Sequence, residues 1–144
     1  MPAVDIFVDT NILIYAHDLD AGDHHHRASR LIRDFWDRHE VPSVSIQVLQ
    51  EMHVNLIRKG VSVAESADTV RRYLSWRVIH NTKTTLRRAF DIQLRWQLSF
   101  WDAAIVAAAQ QAGARELWSE DLNPGQDYGG VVVQIVRFLS HCFL

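Results

Sequence analysis

Apolar positions along the chain fall into short continuous runs and helical stripes that alternate. Val4 to Val8 is the first run, with Ile6, Phe7 and Val8 contiguous, the pattern of a strand covered on both faces. It stops at Asp9, and Thr10 and Asn11 then precede Ile12-Leu13-Ile14-Tyr15, which predicts a helix with Thr10 or Asn11 near its cap. Asp18, Asp20, Gly22 and Asp23 read as a polar loop, after which Leu31, Ile32, Phe35 and Trp36 recur at helical spacing. Pro42 and Ser43 read as a boundary. From Ser45 to Lys59, Ile46, Leu49, Met52, Leu56 and Ile57 form one helical stripe and Gln47, Glu51 and Asn55 another, and Gly60 ends the helix.

Val63 to Trp76 predicts a further helix, Val78-Ile79 a brief strand, and Thr85 to Leu98 another helix. Ala103 to Ala112 is apolar almost all round, so this helix is expected to be central and buried, with Gly113 at a left-handed C-cap. Glu116-Leu117-Trp118 predicts a strand, Asn123-Pro124-Gly125 and Gly129-Gly130 turns, and Val131 to Val136 a last, β-branched strand. Strands alternating with helices imply a three-layer α/β/α sandwich with a mostly parallel central sheet. Ligands of such sheets bind outside the carboxyl ends of the strands, where Asp9 and Asp121 fall.

The length of 144 residues fits a single domain, residues 1–144, with no linker or repeat. No segment approaches the roughly 18 apolar residues of a membrane span, and no basic, apolar leader pattern opens the chain, so a soluble, cytoplasmic protein without a membrane partner is expected. The single cysteine, Cys142, cannot form an internal disulfide, which agrees with a reducing compartment. The net charge of −2 conceals a segregation: Arg71, Arg72, Arg77, Lys83, Arg87, Arg88 and Arg95 stand against the lone acid Asp91, a local +6. Guanidinium forks bind phosphate, which marks Arg71, Arg72, Arg87 and Arg88 as candidate phosphate contacts. The alternative is that they are the solvated outer faces of two helices.

Four acids, Asp9, Glu51, Asp102 and Asp121, carry the candidate chemistry. Gathered carboxylates repel and raise one another's pKa, so a fold holds four together only if a cation or protons neutralise them. Mg²⁺ or Mn²⁺ takes oxygen ligands, acidifies water and offsets charge on a phosphodiester, which permits hydrolysis without a histidine base. Each acid also has a structural alternative. Asp9 could cap a helix, Ser99-Phe100-Trp101-Asp102 fits a capping box, Glu51 could be an exposed helical residue, and Asp121 a loop acid.

Val8-Asp9-Thr10-Asn11, Glu51 early in a middle helix, Phe100-Trp101-Asp102-Ala103 and Ser119-Glu120-Asp121-Leu122 occur in that order. Over nearly the whole chain this resembles the PIN-domain family, specifically the VapC-type toxins of toxin–antitoxin pairs. The resemblance implies an α/β/α fold and a Mg²⁺- or Mn²⁺-dependent endoribonuclease. It makes Asp9 and Asp102 the principal metal ligands, with Glu51 and Asp121 completing the cluster directly or through water, and Asn11 and Ser119 orienting carboxylates. It also implies a cognate antitoxin, inserting a basic side chain among the acids, and a homodimer.

His24, His25 and His26 cannot share one ion from a helix, because successive side chains diverge by about 100°, and they read as a solvated helix start. Trp36, Trp76, Trp96, Trp101 and Trp118 are expected in the core. Two other functions are consistent with the pattern. One is a catalytically inactive PIN-like binding module. The other is a phosphoryl-transfer protein on a flavodoxin-like sheet, against which stand the absence of any lysine after Lys83 and the presence of Asn11 where Asp-x-Asp is needed.

Overall fold

A computed structural model describes residues 2–135 of the chain. Val136, His141, Cys142 and the stretch 138–144 lie outside the described residues. The elements are β1 (Ala3–Val8), α1 (Thr10–His17), α2 (Asp23–Asp37), β2 (Val41–Ser45), α3 (Ile46–Arg58), α4 (Val63–Arg72), β3 (Arg77–Ile79), α5 (Lys83–Trp96), α6 (Phe100–Gln111), β4 (Glu116–Trp118), β5 (Asp127–Tyr128) and β6 (Val131–Gln134). They form one six-stranded sheet in the order β3-β2-β1-β4-β6-β5. All pairings are parallel except that of the edge strand β5 with β6.

The chain runs from β1 out to β3 and then, through α5 and α6, back past β1 to β4, connections of the kind that are as a rule right-handed in parallel sheets. The helix packing agrees: α1 lies against α2 and α3, α3 against α4, and α5 against α6. The strand order reverses between β1 and β4, the switch point at which doubly wound sheets open a crevice. A flavodoxin-like order would place β3 beside β1. Here β1 lies between β2 and β4, so the flavodoxin-like alternative is not the fold.

Phe7, Val8, Val44, Leu117 and Val133 fill the sheet's share of the core with no measurable exposure. Helix α6 is buried from Ala103 to Ala109. Its alanines let it lie close to the sheet without displacing larger side chains. It ends in a Schellman turn: Ala114 N–H donates to the Ala109 carbonyl, Gly113 N–H donates to that of Gln110, and Gly113 takes φ +72°.

The structure corrects several expectations. Pro42 and Ser43 are not a boundary but the middle of β2, a strand whose five residues are all buried. Proline lacks the N–H a ladder needs, and the β1–β2 register is irregular between Ala3 and Phe7. The cap of α1 is Asp9, not Thr10 or Asn11, because the carboxylate accepts the Thr10 N–H from an extended residue. The Asp18 to Asp23 loop contains a 3₁₀ turn, Leu19–Ala21, and the Val63 to Trp76 helix ends at Arg72 in another, Tyr73–Ser75. Trp101 is not in the core; it is 63% exposed.

Candidate functional site

At the switch point β1 hands Asp9 to the start of α1, and β4 hands Ser119 to a loop. Asp9 follows β1 and is only 4% exposed. Its backbone N–H donates to the Trp118 carbonyl, which locks it beside Ser119. Asp9 Oδ1 accepts from the Thr10 N–H at 2.6 Å, and Oδ2 accepts from the Ser119 hydroxyl at 2.8 Å. Ser119 Oγ in turn accepts from the Asp121 N–H at 3.1 Å. The loop after β4 is thus tied to the end of β1 through a single hydroxyl.

Thr10 makes the second link. Its hydroxyl donates to Glu51 Oε2 at 2.9 Å, and Gln47 Nε2 donates to Glu51 Oε1 at 2.9 Å. Glu51 and Gln47 lie one turn apart on α3, whose start is fixed by Ser45 at the end of β2. Asp9, Glu51 and Asp121 therefore converge on one hydrogen-bonded chain. Thr10 and Gln47 were not singled out for function from the sequence. Their contacts span 41 residues in one case, and only the i, i+4 spacing of Gln47 and Glu51 on the polar stripe of α3 hinted at the other.

Asp102 sits in the first turn of α6, which Ser99 caps by accepting the Asp102 N–H. It is half-buried and joins the other acids through charge alone. Burial raises its pKa, a hydrogen bond from Ser99 opposes the rise, and the charges of Asp121 and Glu51 add to it. Asp9 is affected more. Burial pushes its carboxyl up to about 7, against the Ser119 and Thr10 bonds and with the Asp121 and Glu51 charges. None of the four acids has an ion-pair partner among the described residues. Nor does any group of three carboxylate, imidazole or thiolate side chains there stand close enough to hold an ion alone.

Asn11 accepts the Glu120 N–H through Oδ1 at 3.3 Å, while its Nδ2 is buried with no acceptor among the described residues. The site keeps one unfilled donor beside its acids.

The PIN domain model matches residues 6–124. The chain belongs to the PIN-domain family. Solved structures resemble this PIN domain over most of its length. VapC20 of Mycobacterium tuberculosis, a sarcin-ricin loop cleaving toxin, is 25% identical with a TM-score of 0.64, covering 81% of this chain and 91% of its own. A toxin–antitoxin complex from Klebsiella pneumoniae gives 22% identity and a TM-score of 0.66, covering 88% and 95%. VapBC2 from Rickettsia felis, bound to a DNA fragment from its promoter, gives 14% and 0.63, covering 90% and 97%. At those identities the last two speak to the fold alone. No curated protein matches the chain.

The arginines of this PIN domain do not form one patch. Arg71 pairs with the neighbouring Asp68, and Arg77 donates to the Ala112 carbonyl. Arg95 lies over the Trp96 ring. Arg88 borders a hollow with Arg115 and Val131, at the strand starts and so on the rim opposite the acids. Arg72 and Arg87 have no ion pair among the described residues. The histidine triplet opens α2 as expected, with His24 and His26 exposed; His24 stacks on Tyr15 at 4.6 Å, and a His25 ring nitrogen hydrogen-bonds the Tyr15 carbonyl at 2.9 Å.

Proposed function

We propose that this PIN domain is a divalent-metal-dependent endoribonuclease, the toxin of a toxin–antitoxin pair. The supporting observation is Asp9: a buried carboxylate with a pKa near 7, raised further by the Glu51 and Asp121 charges and with no cationic side chain paired to it among the described residues. A fold that keeps such a group gains from a dication there. The donor set fits Mg²⁺ or Mn²⁺, which commonly take one or two protein carboxylates and fill the octahedron with water and phosphate. Asp9 and Asp102 would be the principal ligands, and Glu51 and Asp121 would act directly or through water. When bound, the ion supplies a Lewis-acid charge that acidifies water and offsets charge on the phosphodiester.

The chain's own residues prepare that site. Ser119 and Thr10 each occupy one lone pair of Asp9 and leave the others free. Gln47 and Thr10 hold the two Glu51 oxygens, so Glu51 cannot rotate away from the rim. Asn11 Oδ1 accepts the Glu120 N–H and so braces the loop that carries Asp121. Arg72 and Arg87 are left to hold the RNA backbone, with Arg71 once it leaves Asp68. Arg88, on the far rim, would serve only a long substrate.

A PIN domain that has lost catalysis and only binds a partner is the second reading. The looseness of the acid cluster favours it. The Klebsiella and Rickettsia complexes make an antitoxin the natural partner, with an Arg or Lys entering the acidic rim. The exposed apolar stripe of Leu86, Phe90 and Leu94 on α5 suits a second copy of the chain. Cleavage of single-stranded RNA by purified protein separates the two readings. Cleavage that needs Mn²⁺ or Mg²⁺ and is lost in Asp9→Asn and Asp102→Asn supports the nuclease; no cleavage of transfer, ribosomal or messenger RNA by the wild type supports the binding module.

A further inference from the structure

A hollow of about 200 Å³ opens between α5 and the start of α6. Its walls are Leu86, Phe100 and Trp101, and its polar edge is Gln47 and Asn81. Two of these residues connect it to the acidic rim. Trp101 immediately precedes Asp102, and Gln47 is the residue that donates to Glu51.

We propose that this hollow binds one unstacked nucleobase of the RNA, adjacent to the scissile phosphate, and so sets which sequence is cut. The proposal rests on the ribonuclease reading for its substrate. A base needs a flat apolar surface for its face and fixed donors and acceptors for its edge. The surface is Trp101, 63% exposed and held edge-on to Phe100 with ring centroids 5.2 Å apart, Phe100 being packed in turn on Phe90. An indole left in water by a chain that buries its other tryptophans more deeply is a surface available for stacking.

The polar edge follows from hydrogen-bond chemistry. A carboxylate only accepts, so Gln47 must turn its amide N–H to Glu51, which leaves its carbonyl oxygen without a partner among the described residues. Gln47 is 7% exposed, so this acceptor is held in place. The Asn81 amide likewise has no partner among the described residues and offers both a donor and an acceptor. A protein side chain packed on Trp101 would not need these groups, whereas a base edge does. The volume, below the roughly 300 Å³ of a drug-sized pocket, suits a single ring system.

The test is binding of labelled single-stranded hexanucleotides, one of each base, to metal-free protein in EDTA by fluorescence anisotropy, with light scattering on each variant. Trp101→Ala is expected to weaken binding about tenfold or more, and Trp101→Phe to restore most of it. Asn81→Ala is expected to flatten the differences among the four homopolymers. Leu19→Ala, in the exposed Leu19–Ala21 turn and absent from the walls of the hollow, is expected to change neither. Wild-type affinity and preference in both Trp101→Ala and Asn81→Ala would overturn the proposal, as would no binding by the wild type. So would a loss in Trp101→Ala that accompanies loss of a dimer while Asn81→Ala is unaffected. Cleavage is not involved in this measurement, so Trp101-dependent binding in a protein that cuts no RNA refutes the ribonuclease reading and leaves the pocket standing.

Discussion

The Ser119 hydroxyl donates to Oδ2 of Asp9 at 2.8 Å, joining the ends of β4 and β1 across 110 residues of sequence. That bond and the Thr10 N–H fix a carboxylate that burial would otherwise protonate. The arrangement has a cost in stability with a definite pH dependence. Asp9 binds its proton with a pKa of about 7 in the fold and 3.8 in the unfolded chain, so folding takes up a proton between those values. The stability this group contributes at low pH is therefore lost as pH rises from about 4 to about 7.

Asp9→Asn keeps an oxygen to cap α1 and removes the titration. In EDTA the variant is expected to be as stable as the wild type at pH 5 and more stable at pH 8, by on the order of 1–3 kcal/mol. Urea unfolding at the two pH values checks this; parallel pH slopes for the two proteins would count against the buried, shifted carboxylate.

Thr10 is the residue through which Asp9 and Glu51 share a support. Thr10→Val keeps the backbone cap and the branched shape but removes the hydroxyl that Glu51 accepts. A loss of about 1 kcal/mol is expected, together with reduced Mn²⁺-dependent cleavage. Thr10→Ser should recover both, since it restores the hydroxyl alone. Cleavage undiminished in Thr10→Val would show that Glu51 needs no such anchor.

His17 titrates in the opposite sense. Burial first, then the Arg72 and His25 charges, lower its pKa to about 4. Its ring hydrogen-bonds the Tyr73 hydroxyl at 2.6 Å. A depressed imidazole pKa means that stability is present above pH 6.5 and is lost as pH falls through 6.5 toward 4. NMR titration should show an imidazole with a midpoint near 4, and Arg72→Gln should raise it. A midpoint unmoved by Arg72→Gln would dismiss the charge contribution.

Gly113 holds φ +72° at the end of α6, with open space where a Cβ would stand. Gly113→Ala therefore meets only backbone strain, about 1 kcal/mol. A fall of several degrees in Tm with an unchanged cleavage pattern is expected. An unchanged Tm would mean that the turn relaxes.

The sequence was most legible where one signal had one meaning. The continuous Ile6-Phe7-Val8 run, the all-round apolar α6 and its Gly113 stop, and Glu116 to Trp118 appear where expected. β2 was hidden because Pro42, Ser43 and Ser45 carry turn signals, while a parallel neighbour on either side makes the segment a strand. Trp101 departs from expectation because aromatic side chains are more often buried, and its 63% exposure emerges only once the start of α6 is placed. The order of the four acids marked the rim, but Thr10 and Gln47, which hold it together, were invisible. A threonine after a cap and a glutamine on a helix are ordinary until β1 and α3 are placed side by side.

Calorimetric titration of Mn²⁺ into the wild type and into Asp9→Asn tests the metal site most directly. Saturable binding by the wild type, weakened at least tenfold in Asp9→Asn, is the predicted result. Equal affinity in the two proteins, or no binding by a folded wild type, would contradict it.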